Sequence, residues 1–126
     1  MSSRVLLIGI EPTTIDFTHP DFQAFPGLTA AKVQAGLDQD KASLLKDGYV
    51  ADFCLFAIED LAAKAADMLK ATPYGVVLIG AGVRKPPSNF LVFEQLINVI
   101  HELAPKAKIC FNTGPTDSID AVRRWI

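Results

Sequence analysis

The sequence predicts an α/β fold: a single-domain three-layer α/β/α sandwich around a parallel four-stranded sheet, of flavodoxin-like or Rossmann-like kind. Two observations lead there. Four short, nearly continuous apolar runs rich in β-branched residues recur along the chain, and stretches of helical periodicity fill the intervals and follow the last run. Strands alternating with helices of this length pair in parallel through right-handed crossovers, and the expected strand order is 2-1-3-4. A chain of 126 residues suits one domain.

The first strand is residues 4–10 (RVLLIGI). An irregular segment of 18 residues follows, from Glu11 to Leu28, with prolines at 12, 20 and 26. The first helix covers 29–47, with Ala30, Val33, Leu37 and Leu44 on one stripe, Thr29 as cap and Gly48 as stop. A second strand spans 51–58 (ADFCLFAI) and a second helix 59–71, with Leu61, Ala62, Ala65, Met68 and Leu69 inward and Pro73 just beyond its end. The third strand is read as 75–83 (GVVLIGAGV). After Pro86-Pro87-Ser88 a third helix covers 89–103, capped by Ser88 or Asn89 and ended by Pro105. A fourth strand, 108–111 (KICF), leads through Gly114-Pro115 into a last helix over 117–125, capped by Thr116 or Asp117.

Composition narrows the function classes. Twelve Lys and Arg against 14 Asp and Glu give a formal charge of −2, so nucleic acid is not an expected partner. The apolar fraction of 50% supports a full core with surface to spare for a partner. The start of the chain carries no secretory apolar region, and the longest uncharged apolar run, 74–83, is far short of a membrane span. A cytoplasmic protein without membrane association is the expectation. Cys54 and Cys110 lie on opposite edge strands of the expected sheet, too far apart to pair, and read as buried thiols; no metal site is expected. Neither NAD nor flavin is expected as a cofactor. Gly9 stands alone where a dinucleotide fingerprint would need G-x-G-x-x-G, and Thr13-Thr14 is only a faint echo of a flavodoxin phosphate loop.

Open α/β sheets bind ligands at the carboxyl ends of their strands, where the strand order reverses. That rule gathers three unusual segments. The first, after strand one, carries Glu11, Thr13, three phenylalanines (17, 22 and 25) and His19. It reads either as a lid over a pocket or as an aromatic plug. Glu11, at the end of a buried strand, and His19 are the candidate acid–base groups. The second segment holds Gly80 and Gly82, whose backbone could cradle an oxyanion, and Arg84 as the anion anchor, which with Lys85 sits just before a helix N-terminus; the alternative is a structural turn in which Arg84 pairs with Glu11 or Asp16. In the third, Asn112 and Thr113 offer polar groups for orienting a ligand, or tie loops together. His101 reads as a solvated helix residue.

In the third helix, apolar residues from Phe90 to Leu103 cover about half the helical wheel, wider than one sheet face needs. A homodimer contact is expected there, unless the first loop or the last helix, with Val122 and Trp125, covers the excess. Two readings of function follow. One is a domain that holds a small anionic metabolite, phosphate- or carboxylate-bearing, at the sheet edge, with or without a reaction. The other is a regulatory or structural oligomerisation module with no pocket.

The stretches IGAGVR at 79–84, Phe93-Glu94 with Leu96-Ile97-Asn98, Phe111-Asn112-Thr113 with Pro115, and GLTAAKV at 27–33 resemble a group of small bacterial and fungal α/β proteins. The resemblance runs through most of the chain and implies no particular activity and no functional residues.

Overall fold

The computed structural model describes residues 3–114 and 116–126. Four parallel strands form one sheet in the order β2-β1-β3-β4, as expected. The strands are β1 (Arg4–Ile10), β2 (Val50–Phe56), β3 (Val76–Ile79) and β4 (Lys108–Phe111). Five helices connect and follow them: α1 (Ala30–Lys46), α2 (Ile58–Ala71), the single turn α3 (Ala81–Arg84), α4 (Phe90–Leu103) and α5 (Ser118–Arg123).

Alternation along β1 assigns the two faces. Leu6 and Ile8 point into a core shared with α2 and α4, while Val5 and Leu7 point into a second core with Leu44 of α1 and Val122 of α5. Both central strands are almost wholly buried, which is why they read as uninterrupted apolar runs.

Local chemistry sets the ends of the elements. The Thr29 hydroxyl accepts the Lys32 N–H at 3.2 Å and caps α1. At the far end the chain turns through Gly48 at φ 89°, a left-handed conformation in which a β-carbon would be strained.

The structure differs from the sequence reading at β3, which stops at Ile79 instead of running to residue 83. Once the Gly80 N–H has bonded to the Ile8 carbonyl at 2.9 Å, the chain coils into α3. Val83 is fully buried there as a helical residue, so apolarity alone could not mark the change. α5 is shorter than expected and lies on the face of α1, so it does not cover α4. Most of the wide apolar arc of α4 is absorbed by α2 as well as by the sheet, since both helices contribute to one core, while Phe90 at its start stays exposed. Pro115, expected in the turn before the last helix, lies outside the described residues. Among the described residues no helix is long and apolar enough to cross a membrane.

Candidate functional site

The strand order reverses between β1 and β3, and a cavity of about 370 Å³ opens at their carboxyl ends. Leu7 and Gly9 of β1 lie at its base, Val33 and Leu37 of α1 form one wall, and the turns Gly80–Gly82 and Asn112–Gly114 form another. The segment between β1 and α1 closes over the top, with Ile15, Phe17, Phe22, Phe25 and Leu28 in the lining.

This segment owes its shape to a series of local contacts. Prolines open two 3-10 turns, Pro12–Thr14 and Pro20–Phe22. The Phe17 and Phe22 rings pack with centroids 5.3 Å apart. The Asp21 carboxylate accepts the Ser88 N–H at 3.1 Å, which ties the segment to the turn before α4; the Ser88 hydroxyl, with that N–H, holds the carboxyl below the usual carboxylate range against the effect of burial. The Lys32 ammonium donates to the Gly27 carbonyl at 2.8 Å, where Gly27 takes φ 79°. The aromatic residues of the segment therefore roof a cavity and leave it unfilled.

Of the residues singled out from sequence, Gly80, Gly82, Asn112 and Thr113 are brought together in the lining, whereas Glu11, Thr13, His19 and Arg84 stand outside it. Glu11 prolongs the β1–β2 ladder, its N–H donating to the Phe56 carbonyl at 3.0 Å, and its carboxylate accepts the Thr13 hydroxyl at 3.3 Å. The exposed His19 precedes the second 3-10 turn, and its Nδ1 accepts the Asp21 N–H at 3.1 Å. Neither residue reaches the cavity.

Arg84 neither pairs with Glu11 or Asp16 nor faces the cavity. Its Nε donates to the Ile79 carbonyl at 3.1 Å, its Nη2 donates to the Asn112 carbonyl, and the guanidinium lies 5.1 Å from the centre of the Phe111 ring. It binds the ends of β3 and β4 together, half-buried, and that burial lowers its pKa despite the Asp117 carboxylate nearby. The cation that reaches the lining is its neighbour Lys85, whose ammonium donates to the Thr113 carbonyl at 2.5 Å. In the glycine turn Gly80 and Ala81 already donate their N–H groups to Ile8 and Asn112, so two of the three amides expected to cradle an oxyanion are engaged. What Gly80 and Gly82 contribute is a wall without side chains.

Behind that wall runs a directed chain of hydrogen bonds. The Ala81 N–H donates to Asn112 Oδ1 at 2.8 Å, Asn112 Nδ2 donates to Ser118 Oγ at 2.9 Å, and Ser118 Oγ donates to Asp40 Oδ2 at 2.7 Å. Asp40 is 3% exposed and lines the cavity. Burial pushes its carboxyl up to about 6, against the lowering effect of the Ser118 hydroxyl and with a further push from the Asp117 carboxylate. Asp117 goes the other way: burial opposes its charge, but the Thr113 hydroxyl and the Thr113 and Gly114 amides outweigh it and hold the carboxyl low.

Sequence reasoning missed Asp40, although a signal was there. With Val33, Leu37 and Leu44 it completes an i, i+4, i+7, i+11 series, which puts a carboxylate on the apolar stripe of α1. Among the described residues no group of three or more His, Cys, Asp or Glu side chains is placed to hold a metal ion. No protein-family model matches the chain, and no curated protein matches it.

Proposed function

We propose that this protein binds a small organic acid with an apolar body, seated in the cavity at the carboxyl edge of the sheet with its anionic group toward Lys85. The observation that carries the reading is the lining itself: a space of about 370 Å³ walled by aliphatic and aromatic side chains, in which Lys32 and Lys85 are the cations among the described residues. Its size and apolar character are those of a pocket for a small organic ligand. An ammonium has three donors, and each lysine gives one to a backbone carbonyl, so both keep donors for a carboxylate or phosphate. The bare backbone at Gly80 and Gly82 admits a ligand close to the strand ends.

The test is a thermal-shift and calorimetric series of aliphatic and aryl carboxylates with their neutral amides. The acids are expected to raise the melting temperature, as a ligand of the folded state does, and the amides to bind about tenfold more weakly. Lys85→Ala should erase that preference, while Arg84→Ala should lower stability and keep it. Equal shifts from acids and amides, or none from either, would remove the reading.

A second reading, self-association, is favoured by Phe90 and Leu91, which are 60% and 69% exposed at the start of α4. Sedimentation velocity tests it: a concentration-dependent dimer lost in Leu91→Glu is expected, and a monomer at every concentration rejects it.

A further inference from the structure

We infer that the ligand of this cavity carries a hydrogen-bond donor, a hydroxyl or an amine, at the end remote from its acidic group, and that Asp40 Oδ1 is the atom that receives it. The inference rests on the proposed binding of an apolar acid and adds a second polar contact to it.

The direction of the hydrogen-bond chain carries the argument. A backbone N–H can only donate, so the Ala81 amide requires the oxygen of the Asn112 side chain to face it. Asn112 Nδ2 then has to donate to Ser118 Oγ, and the Ser118 hydroxyl is left to donate to Asp40 Oδ2. Asp40 Oδ2 is thus an acceptor whether the carboxyl is ionised or not. Oδ1 receives no hydrogen bond from the protein, on a side chain 97% withdrawn from solvent that lines the cavity. Among the described residues no fully buried side-chain oxygen lacks a partner, so the unpaired Oδ1 keeps accessible surface, and it is the acceptor that Asp40 offers to the cavity it lines.

The same directionality places the exchangeable proton. Because Oδ2 is occupied, a protonated Asp40 carries its hydrogen on Oδ1, so the ligand-facing atom is an acceptor when ionised and a donor when neutral. The surroundings put this change near pH 6: burial and Asp117 favour the neutral form, and the Ser118 hydroxyl favours the charged one. Other charged groups in the lining are Lys32, on the same helix, and Lys85, from the turn after α3; β1 and the roof segment contribute only apolar side chains and Gly9 to it. Along α1, Lys32 and Asp40 are eight residues apart, roughly 12 Å of helix. That separation lets one molecule of modest length present its acid to the lysines and its donor to Asp40.

Three probes separate this inference from the reading beneath it: 3-phenylpropionate, 3-(4-hydroxyphenyl)propionate and the methyl ether of the latter. At pH 8 the phenol is expected to bind about tenfold more tightly than the other two. In Asp40→Asn, whose side-chain amide mimics the neutral carboxyl, the advantage should disappear. A carbon-detected NMR titration of the unsubstituted protein provides a measurement that needs no variant. The Asp40 carboxyl should titrate above its ordinary value of 3.8, and its midpoint should fall when the phenol is bound but not when phenylpropionate is. Equal affinities for all three acids with an unmoved Asp40 midpoint would overturn the Asp40 assignment and leave acid binding standing. No binding by any of the three, against a positive result with other acids at Lys85, would equally reject a donor at this end. Failure of every acid in both series would end both claims together.

Discussion

At the scale of single residues, Asp40 costs the fold stability that a neutral side chain would not. Its carboxyl is raised from an ordinary value of 3.8 to about 6 by burial, so the folded chain holds this proton more tightly than the unfolded chain does. Well below pH 3.8 the group is neutral in both states and the penalty is absent. As pH rises through 4 to 6 the unfolded state ionises first, and stability falls; above 6 the full cost is present. A shift of this size corresponds to roughly 3 kcal/mol. Asn at this position can accept from Ser118 and carries no charge. Asp40→Asn is therefore expected to be stabilising by about 2 kcal/mol at pH 8 and close to neutral at about pH 3, read from urea unfolding at the two pH values. A variant less stable than the parent at pH 8 would show that the carboxylate is better paired than the Ser118 contact implies. Tolerance of so costly a group in an otherwise apolar wall is itself an argument that the wall serves a ligand.

At the scale of elements, the roof segment is the piece whose behaviour is set by few contacts. Beyond Glu11 its backbone bonds are local turns, and its tie to the turn before α4 is the Asp21–Ser88 hydrogen bond. Asp21→Ala is expected to raise proteolysis and amide exchange across residues 16–28 by about tenfold while β1 and β3 stay protected, since local opening follows the number of anchoring contacts. Unchanged exchange would mean that the packing of Phe17, Phe22 and Phe25 holds the roof unaided. The tie is stronger to an ionised carboxylate than to a neutral carboxyl, so a smaller loosening of the same kind is expected in the unsubstituted protein as pH falls through the lowered Asp21 value. Helices and strands were largely legible in the sequence because their signals are local: α1 and α4 begin within one residue of the expected starts, set by Thr29 and by the Pro86-Pro87-Ser88 run. β3 was overrun because α3 is a single turn with a buried Val83, too short to display a helical period. The roof was recognised as unusual from its length and phenylalanines, but whether those rings fill or cover a space depends on tertiary packing.

At the scale of the whole molecule, topology was readable from connection lengths and handedness, and it brought Gly80, Gly82, Asn112 and Thr113 to one edge as expected. The direction a side chain takes was not readable in the same way. Arg84 and Lys85 are consecutive, yet one clamps strand ends and the other faces the cavity. The separation of the two sheet faces gives a test of the fold as a unit. Cys54 on β2 belongs to the core with α2 and α4, and Cys110 on β4 to the core with α1 and α5. They therefore occupy opposite edges and opposite faces of the sheet, and burial raises their thiols to about 11 and about 12. Neither thiol is reactive while its core is closed, so each reports the opening of one layer. If the two layers open only together, both cysteines should react with a disulfide reagent at pH 8 more than ~10³ times slower than in urea. Their rates should also rise with denaturant along one common slope. Should Cys54 react early and with little denaturant dependence, the α2–α4 layer would open apart from the rest. The cavity, which is built from the other layer, would then be expected to keep its ligand through that opening.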